Sequence, residues 1–263
     1  MAPSTDRSLI ATLSRASKGG LISVSEAATA LDLSPTATAI QLARLTRRGW
    51  LRRARRGLYF VLPLEAKPGQ NTTTEDPWVL AHLLFAPCYI GGWSAAEHWG
   101  LTEQHFRETL VVTAANVRAT KVENLGHEFR LFKVPRSRLT TGIVMEWRGK
   151  ERLAVSGPER TLVDCLRNPD LCGGARHLAQ LMQAYGESAN HDFARLTAVA
   201  KHAGLGATWK RLGYLAEQLW PKEAGLLVEA RKHITAGYSK LDPAVKGKAK
   251  LVTRWRLVVN VRL

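Results

Sequence analysis

Residues 34–61 read SPTATAIQLARLTRRGWLRRARRGLYFV, and the N-terminal fold turns on this stretch. Ser34 is a hydroxyl acceptor placed where a helix would begin. Pro35 follows at the first helical position, where a missing N–H costs nothing. The predicted helix runs to about Arg48 and stops at Gly49, a residue free to turn left-handed. Leu42 and Leu45, with Ala39 one turn back, form its inward stripe. Thr36, Ile40, Gln41, Arg44 and Arg48 then face outward, with Thr38 at the border. Residues 49–53 read as a strand and 58–61 as its partner. Arg55, Arg56 and Gly57 fall at the turn, so the hairpin is expected to be a wing tipped with arginine.

Upstream, residues 7–17 place Leu9, Ile10 and Leu13 on one helical face, and Gly19-Gly20 ends it. Ser23-Val-Ser-Glu26 is a capping box that opens a two-turn helix, EAATAL, and Asp32-Leu33 makes a tight turn. A short helix, a tight turn and a second helix with a polar outer face make a helix-turn-helix. From Arg44 to Arg56 seven of thirteen residues are Arg and none is acidic. A solvated protein-interaction face usually mixes both signs, whereas a surface that meets phosphates does not.

Reach assigns roles. The first half of the second helix would enter a major groove, so Thr36, Thr38 and Gln41 are candidates for reading base edges; Gln can pair bidentately with adenine. Arg44 could read guanine or hold a phosphate, and the sequence leaves both open. Arg47 and Arg48 lie near the helix end, where backbone contact is expected. Arg52 and Arg53 belong to the same basic run. Arg55 and Arg56 would grip phosphate or enter a minor groove.

Charge over the 263 residues agrees: 38 Lys+Arg against 22 Asp+Glu give +16. The excess sits at both ends. Residues 1–62 hold 10 basic and 3 acidic side chains, residues 221–263 again 10 and 3, and residues 63–220 hold 18 and 16. No run of eighteen apolar residues exists, and residues 1–20 lack the apolar centre of a signal peptide, so neither a membrane contact nor export is expected. Cys88, Cys165 and Cys172 have no C-x-x-C spacing and read as core thiols of a protein in the reducing cytoplasm.

Residues 63–75 (PLEAKPGQNTTTE) read as a linker. Beyond it, residues 76–85 look helical, and Ser94-Ala-Ala-Glu97 looks like a second capping box. Residues 109–113, 128–134 and 143–147 read as strands. Ser156-Gly-Pro-Glu159 reads as a third capping box, opening a helix with Leu162, Val163 and Leu166. Helices are predicted near 174–185, 191–202 and 207–219. Residues 251–263 alternate: Trp255, Leu257, Val259, Val261 and Leu263 on one face, Arg254, Arg256, Asn260 and Arg262 on the other, as in a half-buried strand. With Lys246, Lys248 and Lys250 just before it, the basic face is a candidate second contact surface, or else an edge strand's solubilising charge.

Catalytic signatures are sparse. The eight His show no metal-ligand spacing, and phosphate-loop, dinucleotide and nucleophile-elbow motifs are absent, so neither an enzyme nor a metal or cofactor site is expected. Glu97 is accounted for as a cap, His98 beside Trp99 as packing, and Asp164 has no visible partner.

Three stretches resemble the antitoxins of AbiE-type (type IV) toxin–antitoxin systems. They are YIGGWSAAEHWGLTEQ (89–104), followed by a Val-rich strand ending in Thr113; VSGPERTLVDC (155–165), followed by Gly173-Gly174; and KRLGYLAE (210–217). Gly92-Trp93 and the basic tail depart from the shorter members. The resemblance implies an α+β protein, an N-terminal winged helix-turn-helix (1–62) and, after the linker, a mixed α/β antitoxin domain (76–263). It implies a repressor of its own operon that binds promoter inverted repeats in double-stranded DNA. It also implies an antitoxin that counteracts a toxin with a nucleotidyltransferase fold. A monomer in solution is expected. A stand-alone winged-helix regulator with a ligand-sensing or dimerising C-terminal domain, or a DNA-targeted nuclease, are the alternative readings.

Overall fold

Ser23 and Glu26 cap each other in the computed structural model, which describes residues 4–69, 76–149 and 151–263. The Glu26 N–H donates to Ser23 Oγ at 3.2 Å, and the Ser23 N–H donates to Glu26 Oε2 at 2.9 Å. The cap divides strand β1 (Leu21–Ser23) from helix α2 (Val24–Leu31), after a first helix α1 (Ser4–Ala16). Asp32 takes up φ 50° at the turn, and Ser34 Oγ accepts from the Ala37 N–H at 3.3 Å to open α3 (Pro35–Arg47). Gly49 at φ +77° ends the turn after it, and a Cβ there would lie 2.5 Å from the Gly69 nitrogen. Strands β2 (Leu51–Arg55) and β3 (Leu58–Val61) complete a three-stranded sheet in the order β1-β3-β2.

Ile10, Leu13, Ile22, Ala27, Leu42, Leu45, Trp50, Leu51 and Val61 form the core of this unit. The inward stripe of α3 is therefore Thr38, Leu42 and Leu45, and Ala39 is exposed. The spacing 38, 42, 45 follows the helical repeat. Thr38 can sit inside because its hydroxyl donates to the Ser34 carbonyl at 2.9 Å. The wing also differs from expectation. β2 runs on to Arg55 through an irregularity between Arg53 and Arg55, so only Arg56 and Gly57 make the turn.

Beyond residue 75, α4 (Pro77–Phe85) and α5 (Gly92–His98) alternate with strands of a second sheet. Its strands are β4 (Cys88–Ile90), β5 (Glu108–Thr113), β6 (Lys121–Asn124), β7 (His127–Lys133), β8 (Ile143–Arg148) and β9 (Glu151–Ser156). They lie in the order β6-β7-β5-β4-β9-β8, with β5–β7 and β4–β9 parallel and the other pairs antiparallel. Helices α6 (Pro158–Arg167), α7 (Ala175–Glu187), α8 (Phe193–Ala203), α9 (Gly206–Leu219) and α10 (Ala224–Lys232) follow. A small sheet closes the chain in the order β10-β12-β11, from β10 (Ser239–Lys240), β11 (Lys250–Val252) and β12 (Leu257–Val259).

The large sheet is covered on both faces, which is why its central strands are continuously apolar. In β5, Leu110 and Val112 join the core under the helices, while Val111 joins a second core with α4. That second core also takes in Leu21, Ala54, Leu58, Phe60 and Leu62 from the winged-helix unit. Two hydrogen bonds join the same surfaces: Arg55 Nη1 to the Leu84 carbonyl (3.2 Å) and Asn124 Nδ2 to the Ala54 carbonyl (2.8 Å). Of the expected linker, residues 70–75 lie outside the described residues.

Two of the three expected capping boxes do not form. Ser94 lies inside α5, with its Oγ accepting the Leu110 N–H at 2.9 Å, and Glu97 instead meets His105 Nδ1 at 2.6 Å. The cap of α6 is Gly157. Ser156 Oγ contacts Thr161 Oγ1 at 2.7 Å, and Glu159 accepts from the Tyr185 hydroxyl at 3.1 Å. Both serines are buried, and another partner takes each hydroxyl in place of the cap: the distant Leu110 N–H for Ser94 and the nearby Thr161 hydroxyl for Ser156.

The C-terminal alternation is likewise not one strand. Residues 253–255 form a 3₁₀ turn and Arg256 is left-handed at φ 47°, so the segment folds back as β11 and β12. Trp255 and Leu257 are buried as expected, but Asn260, assigned to the outer face, is also buried. Its amide donates to the Asp242 and Val245 carbonyls, both at 2.7 Å, and its Oδ1 accepts from the Asp242 N–H at 3.1 Å.

Candidate nucleic-acid interface

Helix α3 turns Thr36, Ala39, Ile40, Ala43 and Arg47 to solvent, with Gln41 and Arg44 half-buried beside them and Arg48 exposed just past its end. Thr38 does not belong to this face: it is wholly buried, so it is withdrawn as a base-reading candidate. No acidic residue occurs between Asp32 and Glu65, so α3 and the wing present one sign of charge.

The arginines fall into two sets. Arg44 and Arg48 converge on Asp6, a carboxylate of α1 that is only 1% exposed. Arg44 Nη2 lies 3.0 Å from Asp6 Oδ1, and Arg48 Nη1 bonds Oδ2. Arg44 Nε also donates to Gln41 Oε1 at 2.9 Å, fixing the orientation of that amide. These two arginines brace α3 against α1, although their side chains keep 34% and 46% exposure. Arg55 is held by the Leu84 carbonyl, and Arg52 is half-buried in β2. Arg47, Arg53 and Arg56 are exposed and carry no ion pair among the described residues. The remaining acids of the unit are Glu26 and Asp32. The Ser23 N–H and hydroxyl hold the Glu26 carboxyl below its ordinary range, and Asp32 stands in the turn before α3.

The second basic segment does not present one face. Lys246, Lys248 and Lys250 are exposed, but Arg254 pairs with Glu217 at 2.7 Å and Arg256 Nη1 points to the Thr235 carbonyl at 3.4 Å. Arg262 is exposed, with its backbone carbonyl accepting Arg176 Nε at 3.1 Å.

The conspicuous polar residues of the other domain hold the fold together. Asp164 has two partners: Arg160, one helical turn back, whose Nε lies 2.9 Å from both its oxygens, and the distant Tyr89, whose hydroxyl donates to Oδ2 at 2.7 Å. Arg160 also donates to the Thr141 and Arg138 carbonyls at 2.7 and 2.8 Å, tying α6 to β4 and to the loop before β8. Burial raises the Asp164 carboxyl and the Tyr89 phenol above their ordinary ranges. Arg211 donates to the Leu166, Arg167, Lys240 and Leu241 carbonyls, which puts a cation at the C-terminus of α6. Desolvation lowers its pKa to about 10. Lys210 Nζ reaches the Gly237 carbonyl at 2.9 Å. His98 packs between Trp78 and Trp99 with ring centroids at 5.2 and 4.6 Å, as expected. Cys88, Cys165 and Cys172 are buried free thiols. Among the described residues, no three His, Cys, Asp or Glu are grouped as a metal would require, and no helix is long and apolar enough to cross a membrane.

An N-terminal winged helix with a basic outer face, set on a mixed α/β domain, defines a two-part winged-helix regulator. The chain belongs to the AbiEi antitoxin family: residues 10–61 match the model "Transcriptional regulator, AbiEi antitoxin", and residues 86–218 match the AbiEi antitoxin C-terminal domain. No curated protein matches it. In fold it is similar to the crystal structure of the RV2827C protein from Mycobacterium tuberculosis. That likeness has a TM-score of 0.66 at 19% identity and covers 98% of this chain and 92% of the other.

Proposed function

We propose that this antitoxin represses its own operon by seating α3 in the major groove of promoter inverted repeats, and that residues 76–263 counteract a nucleotidyltransferase-like toxin. It acts in the cytoplasm as a monomer when free, without a cofactor. Thr36 and Gln41 are the polar readers, while Arg47, Arg53 and Arg56 hold phosphates. Residues 63–75 mark the boundary between the two functions. The observation that carries the reading is the surface of α3 and the wing, where exposed arginines stand without any acid from residue 33 to residue 64. Such a surface gains affinity by releasing counterions from DNA.

Fluorescence anisotropy of the full chain on duplexes from its own upstream region tests the first half. Gln41→Ala is expected to cost about 1–3 kcal/mol on the operator and little on unrelated DNA. Equal affinity of the variant and the parent for the operator would remove Gln41 from the readout. Co-expression with the neighbouring gene tests the second half: growth should be rescued by this chain, and no toxicity from that gene would leave a stand-alone regulator.

A further inference from the structure

Ile40 lies at the centre of the outward face of α3 and is 64% exposed. An isolated exposed aliphatic residue ordinarily needs no explanation. Here its surroundings are particular. Thr36 and Ala43 lie one turn to either side of it and Ala39 beside it. Arg44, held by Asp6, follows at the next turn and exposed Arg47 two turns on, so short side chains leave the Ile40 branch standing proud of the helix. Among the described residues, no core cluster takes up its methyl groups. Helix propensity does not account for the residue either, since isoleucine at an exposed helical position is inferior to alanine, lysine or glutamine. Its β-branched side chain is stiff about χ1, so it presents a fixed apolar shape.

A surface on which Arg47, Arg53 and Arg56 carry no ion pair among the described residues selects an anionic partner, and an apolar knob on it requires an apolar spot within that partner. In the major groove of DNA the apolar group at a base edge is the thymine C5-methyl. We infer that Ile40 is a specificity-determining residue that packs on a thymine methyl, beside the polar contacts of Thr36 and Gln41. This rests on the DNA-binding reading above and assigns one base type within it. The small residues at 39 and 43 let the helix approach closely enough for methyl-to-methyl contact.

The test starts from duplexes that the full chain selects from a random library. Each thymine of the selected site is replaced singly by deoxyuridine, which deletes only the methyl group, and Kd is measured at constant salt. Burying one methyl against an aliphatic side chain predicts a loss of roughly three- to fivefold at one or two positions per half-site. In Ile40→Ala those substitutions should have no effect, and Ile40→Val should keep part of it. Because the side chain is exposed, both variants should fold, which circular dichroism checks. If the parent is indifferent to the loss of every thymine methyl while Arg56→Ala still weakens binding, Ile40 is not a reader and the interface stands. Equal sensitivity in Ile40→Ala would also overturn the assignment. If no duplex is enriched, the DNA-binding reading falls and this inference with it.

Discussion

Replacing Asp6 by asparagine separates the two sets of arginines by experiment. The carboxylate is buried and accepts from both Arg44 and Arg48, so α1 neutralises part of the charge that α3 would offer to DNA. The amide would keep the shape and lose the charge. Charge-assisted hydrogen bonds contribute about 1.5–3 kcal/mol each when well buried. Here the guanidinium ends are 34% and 46% exposed, so solvent screening discounts them. A total loss of about 1–3 kcal/mol follows, or a fall in Tm of several degrees for a chain of this size. Binding should move the other way. One more positive charge at the interface adds up to about 0.9 to the slope of log K against log salt. Affinity should then fall roughly threefold more than in the parent between 50 and 200 mM salt. Anisotropy on a fixed duplex, paired with thermal melts, measures both. A shallower slope in Asp6→Asn with the fold intact would refute the reasoning: Asp6 would then be aiming the two arginines at phosphates, not withholding them.

Replacing Arg47, Arg53 and Arg56 by Ala should flatten the salt dependence by about one unit each on all sequences; replacing Arg55 should do less, because it serves the Leu84 carbonyl. Gly213→Ala would set a Cβ 2.1 Å from the buried Trp255 ring, whose Nε1 is held by Glu217 at 2.9 Å. Overpacking of about 1–3 kcal/mol should outweigh the helical gain of about 1 kcal/mol, and Trp255→Phe should recover part of it in a denaturant titration. His82 is locked neutral, its Nε2 accepting from Ala154 N–H and its Nδ1–H donating to the Trp78 carbonyl, both at 3.0 Å. Burial puts its pKa below 6.5 in the folded state. The stability it contributes is complete above 6.5 and lost as pH falls through the folded value, so Tm should drop with acid in the parent and less in His82→Gln.

Local signals carried far where a residue's partner lies within a few positions in the chain. The Ser23 box, the Ser34-Pro35 start and the Gly49 stop all act within four residues, and all three formed. So did the strands and helices with unbroken periodicity, from the Val-rich strand at 109–113 to the helix around 207–219. Errors cluster where a partner comes from far away. Ser94 has the spacing of a cap, but the Leu110 N–H, 16 residues on, claims its hydroxyl inside the core; Ser156 is the exception, its hydroxyl taken by Thr161 only five residues away. Of the two partners of Asp164, Tyr89 is 75 residues distant, whereas Arg160 lies one helical turn back, a spacing that the sequence does show. The alternation at 251–263 concealed a reversal, since a 3₁₀ turn that buries Trp255 and a short strand that buries Leu257 keep the same spacing of buried residues as one strand. For the same reason Arg254→Glu is not a neutral charge change: it would place a carboxylate against Glu217, the group that also orients Trp255. In the candidate site, the basic surface was legible as a composition. Which arginines are committed to Asp6 or Leu84 was not, because those contacts close over 29 to 42 residues.

The two cores set the terms for separating the two proposed functions. The core under the helices draws no residue from the winged-helix unit, so a chain beginning at residue 76 keeps it complete. The second core does not survive that cut. Leu21, Ala54, Leu58, Phe60 and Leu62 would be gone from it, and the apolar face that they share with α4 would lose part of its cover. At roughly 1.5–3 kcal/mol for each large side chain fully covered, and less for partial cover, the shared burial amounts to several kcal/mol. The shortened chain should therefore retain the circular dichroism of the large sheet and its helices, melt well below the parent and bind an apolar dye. In the full chain, Asn124→Ala removes the bond to the Ala54 carbonyl, leaving that half-buried acceptor without its partner close to the turn of the wing. It should loosen the wing and weaken DNA binding, with a much smaller loss of global stability than the truncation causes. If the shortened chain melts with the parent and stays dry to the dye, the second core is a contact without energetic weight, and the wing is not braced by the domain behind it.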